Sequence, residues 1–319
     1  MKNASSLVLV GGFGFIGRNI LDVLASNKSF DGLAPVVIDN LSNAAPGHQD
    51  FDLPFYEGDY GDADAGRFLA GLDTAQGRGR IFVFLAGETR VAESKDRPLD
   101  FIEANITAPS RFILQSVQPG DQFILISTAG ALFDGTFEVR TSSAYCPKNF
   151  YGATKAAEEM ILQKLVQLRG GTFSVIRMTN VYGKFSERKV SAIHAFTRAA
   201  IAGDEVVING DGQQLRDFIY AGDIGFGIAT LAKKLREGAA FEPVNMLGSG
   251  VSTSVMDVVA AIEQAAGKPL KYNQIPAKEL LATEPRDVIA SREDVRVLLG
   301  DHITSLADGI RQTHGYFMG

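Results

Sequence analysis

Tyr151 and Lys155 form the pair of side chains in this 319-residue sequence that is best suited to moving a proton. They lie four residues apart at the start of an amphipathic segment, so on a helix both side chains project from the same face. A tyrosine is nearly inert as a base at its usual pKa of about 10. A nearby ammonium group stabilises the phenolate and lowers that pKa. Pairs with this spacing also occur often by chance on helix surfaces, so other motifs must support the chemistry.

A glycine-rich turn supplies the second motif. Gly11, Gly14 and Gly17 follow a predicted strand and open a predicted helix, an arrangement that also fits a tight turn without a ligand. The middle glycine lets backbone amides approach a pyrophosphate, which the helix N-terminus attracts. Asp39 ends the next strand, 22 residues after Gly17, where a carboxylate can accept both ribose hydroxyls and would repel a 2′-phosphate. Together the two features predict NAD as the cofactor rather than NADP.

The elements that would hold these residues alternate between strands and helices. Short apolar runs predict buried strands at 7–10, 35–38, 80–85, 123–126 and 173–178. Apolar residues at three- and four-residue spacing predict helices at 16–25, 63–72, 98–117 and 151–169. This alternation predicts an α/β protein with a Rossmann-type doubly wound parallel sheet.

The pattern changes after about residue 180. Helices are predicted at 191–202, 223–234, 254–266 and 291–299, with a strand at 206–208 and a glycine-rich turn at 210–212. We therefore expect an NAD-binding Rossmann domain at 1–180, to which 219–236 returns, and a smaller C-terminal substrate-binding lobe at 181–319. The active site should lie in the cleft between them, beyond the carboxyl ends of the strands.

Composition excludes several other classes of protein. The chain has 45% hydrophobic and 21% charged residues, which is typical of a globular protein, and its net charge of −6 lacks the basic excess of a nucleic-acid-binding protein. The apolar stretch at 7–17 is too short to span a membrane and wrongly flanked for a secretion signal. A single cysteine, Cys146, excludes an intrachain disulfide and favours a cytoplasmic location. No metal site is expected, because the histidines lack ligand spacing: His48, His194, His302 and His314.

In their order along the chain, the motifs resemble the extended short-chain dehydrogenase/reductase family, and within it the NAD-dependent nucleotide-sugar epimerases and dehydratases. The resemblance covers nearly the whole chain. The matching segments are Gly-x-x-Gly-x-x-Gly at 11–17, Asp-Asn-Leu-Ser at 39–42, Gly-Asp at 58–59, Leu-Ala-Gly at 85–87, Ser-Thr-Ala-Gly at 127–130, Tyr-x-x-x-Lys at 151–155, Arg-Met-Thr-Asn-Val-Tyr-Gly at 177–183, Arg-Asp-Phe at 216–218 and Glu-Pro-Arg-Asp at 284–287.

This resemblance implies a role for each matching residue. The catalytic group would be Thr128, Tyr151 and Lys155. The residues that contact NAD would be Gly11, Gly14, Phe15, Ile16, Gly17, Asp39, Asn40, Asp59, Tyr60, Leu85, Ala86, Gly87 and Asn105, together with Tyr151 and Lys155. The substrate, a nucleotide-diphosphate sugar, would contact Thr89, Arg90, Ala129, Asn180, Arg216 and Arg286. Relatives commonly pair through the helices at 98–117 and 151–169, so a homodimer is expected.

Departures from the family pattern narrow the reaction. Dehydratases of the family place an Asp-Glu pair after the catalytic threonine, where this sequence has Ala129 and Gly130. The 3,5-epimerising members use a cysteine in that strand, whereas Cys146 precedes Tyr151 in a loop. The catalytic group that remains, Thr128, Tyr151 and Lys155 with NAD, favours an epimerase acting at C4 through a transient 4-keto sugar. Two alternatives stay open, a nucleotide keto-sugar reductase and a catalytically silent nucleotide-binding homologue. Arg90 would favour an acidic or unusually polar sugar.

Overall fold

The computed structural model describes residues 5–44, 47–72, 79–133, 137–276 and 288–319. Its strands, in chain order, are β1 Ser5–Val10, β2 Leu33–Asp39, β3 Phe55–Glu57, β4 Ile81–Phe84, β5 Gln122–Thr128, β6 Glu138–Val139, β7 Thr172–Met178, β8 Asn180–Tyr182, β9 Glu205–Asn209, β10 Leu215–Arg216, β11 Phe218–Tyr220, β12 Val244–Leu247, β13 Thr253–Ser254, β14 Lys271–Ile275 and β15 Ile289–Ala290. Its α-helices are α1 Phe15–Ser26, α2 Ala63–Ala70, α3 Pro98–Ile102, α4 Ala108–Ser116, α5 Phe150–Leu168, α6 Ala192–Ala202, α7 Ala221–Glu237, α8 Val255–Ala266, α9 Arg292–Leu299 and α10 Leu306–Met318.

Seven parallel strands form the central sheet, in the order β12-β7-β5-β4-β1-β2-β3. The strand order reverses direction between β1 and β4, which is the switch point where doubly wound folds bind ligands. The predicted α/β fold with a Rossmann-type sheet is therefore confirmed. The strands β1, β2, β4 and β5 are parallel, so their carboxyl ends lie at the same edge of the sheet. The motifs that follow these strands are therefore neighbours in space.

Helices cover both faces of this sheet, which explains why its strands read as continuous apolar runs. One face packs against α1 and α7 in a core that includes Ile20, Ile228 and Leu235. The other face packs against α2, α4 and α5 through Leu69, Phe112 and similar side chains. None of the helices within the described ranges is long and apolar enough to cross a bilayer.

The second half of the chain builds a separate small core and also returns to the sheet. Helices α6, α8 and α10 enclose buried side chains such as Phe196, Ile262 and Ile310. Helix α7 lies against the central sheet, and β12 joins that sheet by pairing with β7. Helix α9 packs against both α7 and β12. Neither β12 nor α10 was predicted from the sequence. The strand is only four residues long, and α10 contains Gly309 and Gly315, which weaken its helical signal.

The helix predicted at 98–117 is interrupted in the structure. A π-helical turn, Glu103–Thr107, separates α3 from α4. Such turns are uncommon and are often found at functional sites, because the extra residue turns side chains away from the regular helical face. Asn105, one of the predicted cofactor residues, lies within it.

Candidate active site

The glycine-rich turn between β1 and α1 has the geometry of an anion-binding site. Gly11 has a φ of +81°, a left-handed conformation that favours glycine. Helix α1 begins after Gly14 with no side-chain cap and no acidic residue in its first turn, which leaves its first N–H groups available to an anion. Phe15 and Ile16 are half-buried at this end. These features fit the pyrophosphate of a dinucleotide.

Gly17 makes the closest backbone contact in this turn. A Cβ added here would lie 2.2 Å from the carbonyl oxygen of Gly12. The atoms that this Cβ would meet belong to the backbone of Gly12, so a side chain at position 17 would force helix α1 away from strand β1. We predict that Gly17→Ala weakens NAD binding by at least about tenfold, or about 1.4 kcal/mol, as measured by isothermal titration.

Gly66→Ala is the matched control. Gly66 lies in α2, and an added Cβ there would meet no atom within 4 Å. Alanine also favours a helix over glycine, so this variant should fold and bind NAD as the unmodified chain does. Equal NAD affinities for the two variants would contradict the proposed role of the turn.

Asp39 lies at the end of β2, and its carboxylate is fixed beside the glycine-rich turn between β1 and α1. The Phe13 N–H donates to Oδ2 at 2.9 Å, and the Leu41 N–H donates to Oδ1 at 2.8 Å. Each carboxylate oxygen keeps a further lone pair that could accept a ribose hydroxyl. The adjacent Asn40 is exposed, and its Oδ1 accepts from the Ser42 N–H, which shapes the turn.

The remaining predicted cofactor residues follow β3 and β4. Asp59 is exposed and accepts from the Gly61 N–H, whereas Tyr60 packs against Phe84 and Phe112. After β4, Leu85 and Ala86 are half-buried and Gly87 is exposed.

Asn105 in the π turn holds the segment after β4. Its Oδ1 accepts from the Glu88 N–H at 2.8 Å and its Nδ2 donates to the Glu88 carbonyl at 3.1 Å. The side-chain amide of Asn105 therefore positions residues 85–88 at the edge of the sheet. The π turn directs this amide toward Glu88.

The predicted catalytic residues come together at the end of β5. Thr128 ends that strand, and its hydroxyl forms a hydrogen bond with Tyr151. Lys155 lies one turn further along α5, where its Nζ donates to the Ile126 carbonyl at 3.0 Å. All three side chains therefore converge from one strand and one helix.

The start of α5 is fixed tightly against the chain that follows β5. Asn149 caps the helix by accepting from the Gly152 N–H at 2.7 Å. A Cβ on Gly152 would lie 2.0 Å from the Ala131 carbonyl oxygen, so only glycine allows this approach. The first turn of α5, which carries Tyr151, is held at the end of the Thr128 strand as a result.

Burial governs the ionisation of this pair. Burial raises the pKa of Tyr151 above its usual value, while the charge of Lys155 and the hydrogen bond from Thr128 lower it. The expected effect of Lys155 is present, but burial outweighs it, so the phenol is neutral in the protein alone. Burial lowers the pKa of Lys155, but Glu158 and Tyr151 raise it by more, so the side chain stays an ammonium.

A buried polar network that the sequence analysis missed fixes α5 against the sheet. Glu159 forms an ion pair with Arg177 of β7 at 2.9 Å and accepts from the hydroxyls of Ser127 and Tyr145. Arg177 also donates to the Thr141 carbonyl at 3.0 Å. The network joins α5, β5, β7 and the loop before α5. Its partners are far apart in sequence, so only the folded chain reveals it.

The predicted substrate residues form a looser group. Thr89 and Arg90 are exposed, and Arg90 pairs with Glu93 at 3.1 Å. Ala129 is fully buried with its N–H bonded to the Met178 carbonyl, so it packs behind the site and presents no side-chain surface to a ligand.

Asn180 and Arg216 lie near each other, since the Asn180 Nδ2 donates to the Asp217 carbonyl at 3.0 Å. The Asp217 carboxylate itself accepts from Ser249 and from the Ala290 N–H. Arg286 lies outside the described residues.

Lys189 is a further cation on this side that no motif indicated. Its Nζ lies 5.8 Å from the ring centroid of Phe15, at the glycine-rich turn. Burial and the positive charge of Arg90 both lower the pKa of Lys189. Lys189 therefore adds positive charge beside the glycine-rich turn.

Comparisons with known proteins agree with this architecture. Residues 7–246 match the model of the NAD dependent epimerase/dehydratase family. A UDP-glucose 4-epimerase of Halalkalibacterium halodurans is 24% identical, and the match covers 92% of this chain and 90% of that protein. The crystal structure of UDP-glucose 4-epimerase from Thermotoga maritima with UDP-glucose is 25% identical and has a TM-score of 0.81. The match covers 98% of this chain and 98% of that one. The UDP-glucose 4-epimerase of Thermus thermophilus in complex with NAD has the same fold, with 22% identity, a TM-score of 0.79 and coverage of 98% of this chain and 99% of that one.

The family match spans most of the sequence and includes both the glycine-rich turn and the Tyr-x-x-x-Lys helix. The family is NAD dependent by its description, which confirms the predicted cofactor. The chain belongs to the NAD dependent epimerase/dehydratase family, within the extended short-chain dehydrogenases/reductases that its motifs resemble.

Proposed function

We propose that this protein is a nucleotide-sugar epimerase that inverts the configuration at C4 through a transient 4-keto sugar. The observation that carries the proposal is the convergence of Thr128, Tyr151 and Lys155 at one strand end. Positions 129 and 130 are alanine and glycine, so they supply no further acid or base for eliminating water. A site with these groups suits reversible oxidation at one hydroxyl.

Each member of the group has a distinct role in the proposed reaction. Tyr151 as phenolate removes the proton from the C4 hydroxyl and later returns it. Thr128 hydrogen-bonds the same oxygen and fixes its direction. Lys155 stabilises the phenolate and contacts the nicotinamide ribose. NAD, when bound, supplies the acceptor and donor of hydride that this chemistry needs.

NAD would be held by the N-terminal lobe, residues 1–180. The pyrophosphate would lie at the N-terminus of α1 against Gly11 and Gly14, and the adenosine ribose would lie against Asp39 and Asn40. Residues 85–87, Asp59 and Tyr60 would line the rest of the cofactor, with Asn105 holding the 85–88 segment.

The substrate we propose is a nucleotide-diphosphate sugar, bound by residues of 181–319 across the cleft. Arg216 and Asn180 would hold the diphosphate, with Arg286 as a second arginine implied by the motif. Lys189 adds positive charge beside the glycine-rich turn, and Arg90 would face the sugar, as the motif implies. UDP-hexoses are the first substrates to test, because the relatives above are named for UDP-glucose.

A binding and turnover panel tests this function. Isothermal titration with NAD and a set of nucleotide sugars should give binding, and NMR of the reaction mixture should show C4 epimers interconverting without added reductant. A requirement for stoichiometric NADH would identify a keto-sugar reductase instead. Binding without turnover across the panel would identify a silent nucleotide-binding protein.

We also infer that the enzyme is a cytoplasmic homodimer joined through α3, α4 and α5. Large apolar side chains are exposed on these helices, namely Leu99, Ile102, Leu114, Met160, Ile161 and Leu168. Apolar side chains grouped on paired helices are typical of interfaces between subunits. The cytoplasmic location rests on the single cysteine, Cys146.

Ile161→Glu should convert this dimer to a monomer. The side chain lies on α5 and is 40% exposed, so a carboxylate there can be solvated in the monomer but not in an apolar interface. Val297→Glu is the control, because Val297 on α9 is 41% exposed and lies away from these helices. Light scattering should show a dimer for the control and a monomer for Ile161→Glu. An unmodified chain that is already monomeric would contradict the inference.

A further inference from the structure

Glu158 is a carboxylate enclosed beside the proposed catalytic pair, and the mechanism above gives it no part. It has 0% exposed surface and lies on α5, one turn after Lys155 and two turns after Tyr151. Its Oε2 forms an ion pair with Lys155 Nζ. Apart from this ion pair, neither carboxylate oxygen has a hydrogen-bond partner among the described residues.

The neighbouring Glu159 shows how unusual this environment is. Glu159 is equally buried, but arginine, serine and tyrosine side chains all bond to it. A buried carboxylate with one partner costs stability, because its remaining lone pairs have lost their water. Glu158 is therefore not explained by packing alone.

The charged and titratable groups around Glu158 come from α5 and from the turn after β3. Tyr151, Lys155 and Glu159 are on its own helix, and Tyr60 lies near enough for the Glu158 charge to raise the pKa of its hydroxyl. Glu103 of the π turn acts on that same tyrosine. Burial raises the pKa of Glu158, Lys155 lowers it and Glu159 raises it, with a result of about 7.

Lys155 is shared between two acceptors. One is the Ile126 carbonyl at 3.0 Å, and the other is Glu158. An ionised Glu158 offsets the ammonium charge that would otherwise stabilise the Tyr151 phenolate, and its own charge also raises the pKa of Tyr151. A protonated Glu158 leaves the ammonium to act on Tyr151 without this opposition.

We propose, building on the proposed function, that Glu158 is a positioning residue whose carboxylate restrains the Lys155 ammonium and opposes ionisation of Tyr151. Glu158 thereby makes the strength of the proposed base depend on the protonation of a second, buried group. Loss of the Glu158 charge strengthens Lys155 as a stabiliser of the phenolate.

Glu158→Gln tests this directly, because it removes the charge and keeps the shape. The phenolate absorbance of the protein is titrated without NAD or sugar, and the same titration of a Tyr151→Phe background is subtracted. We expect the Tyr151 midpoint to fall by about one pH unit, the effect of removing a unit charge two helical turns away at an effective dielectric constant of about 20. A melting curve confirms that the variant is folded.

A second readout uses the pH dependence of turnover. Burial raises the pKa of Glu158 to about 7, so the carboxylate loses its charge as the pH falls and the two enzymes should approach the same kcat toward low pH. The ratio of kcat for Glu158→Gln to that of the unmodified enzyme should rise up to about tenfold between about pH 6 and pH 8, since one pKa unit corresponds to tenfold.

Glu103→Gln is the control for a general change of charge. Glu103 is 53% exposed and pairs with Arg111 at 2.9 Å, so solvent screens it. We expect it to move the Tyr151 midpoint by less than about 0.3 unit. An unchanged Tyr151 midpoint and a flat kcat ratio for Glu158→Gln would overturn the proposal. A shifted midpoint in a chain that turns over no sugar would uphold the coupling and count against the proposed function instead.

Discussion

Tyr151→Phe should lower kcat by about a thousandfold and leave the Kd for NAD within about threefold of its original value. The substitution removes one hydroxyl, the only atom of the side chain that can take or return a proton. The ring would still pack against Phe101, whose centroid lies 6.4 Å away, so the fold should be unchanged. Steady-state assays and isothermal titration measure the two effects separately.

Tyr272→Phe provides the comparison for this variant. Tyr272 lies on β14 and is 40% exposed, so loss of its hydroxyl should leave turnover unchanged. If Tyr151→Phe kept more than about a tenth of the activity, another group would have to be the base and the assignment would fail.

Glu159→Ala should lower the free energy of unfolding by about 3–5 kcal/mol. The variant leaves the Arg177 guanidinium buried without its carboxylate partner, and the Ser127 and Tyr145 hydroxyls lose their acceptor. Denaturant unfolding monitored by circular dichroism gives this free energy from the midpoint and slope.

Arg311→Ala breaks an exposed ion pair for comparison. Arg311 is 71% exposed beside Asp308, and pairs of this kind contribute less than about 1 kcal/mol. Adding Arg177→Met to Glu159→Ala should recover part of the loss, because the unpaired charge is then removed. A loss for Glu159→Ala no larger than that for Arg311→Ala would show that the network does not hold α5.

Local patterns in the sequence were sufficient to predict the order of the motifs and five of the seven described strands of the central sheet, all but β3 and β12. The run at 7–10, the glycine turn and Asp39 have distinctive spacing because backbone geometry demands those residue types. The helix with Tyr151 and Lys155 is equally visible from its apolar period. Each of these features is decided within about twenty residues of chain.

Features that depend on how separate elements pack together were not predictable. The Glu159–Arg177 pair joins helix α5 to strand β7, and the contact of Asn105 with Glu88 needs a π turn that no residue pattern indicates. The pKa of Tyr151 is raised mainly by its burial, which the spacing of apolar residues along a helix does not reveal. The spacing of Lys155 and Glu158 is visible in the sequence, but the burial that leaves Glu158 with this one partner is not.

The fate of a deuterium atom placed at C4 of the nucleotide sugar tests the proposed reaction most directly. Oxidation and reduction at that carbon within one active site should return the label to C4, so mass spectrometry and NMR should find it there in the epimer, with no loss to water. Loss of the label to solvent would show a carbon acid mechanism, and its accumulation in released reduced cofactor would show a reductase. Either result would contradict the account built on Thr128, Tyr151 and Lys155.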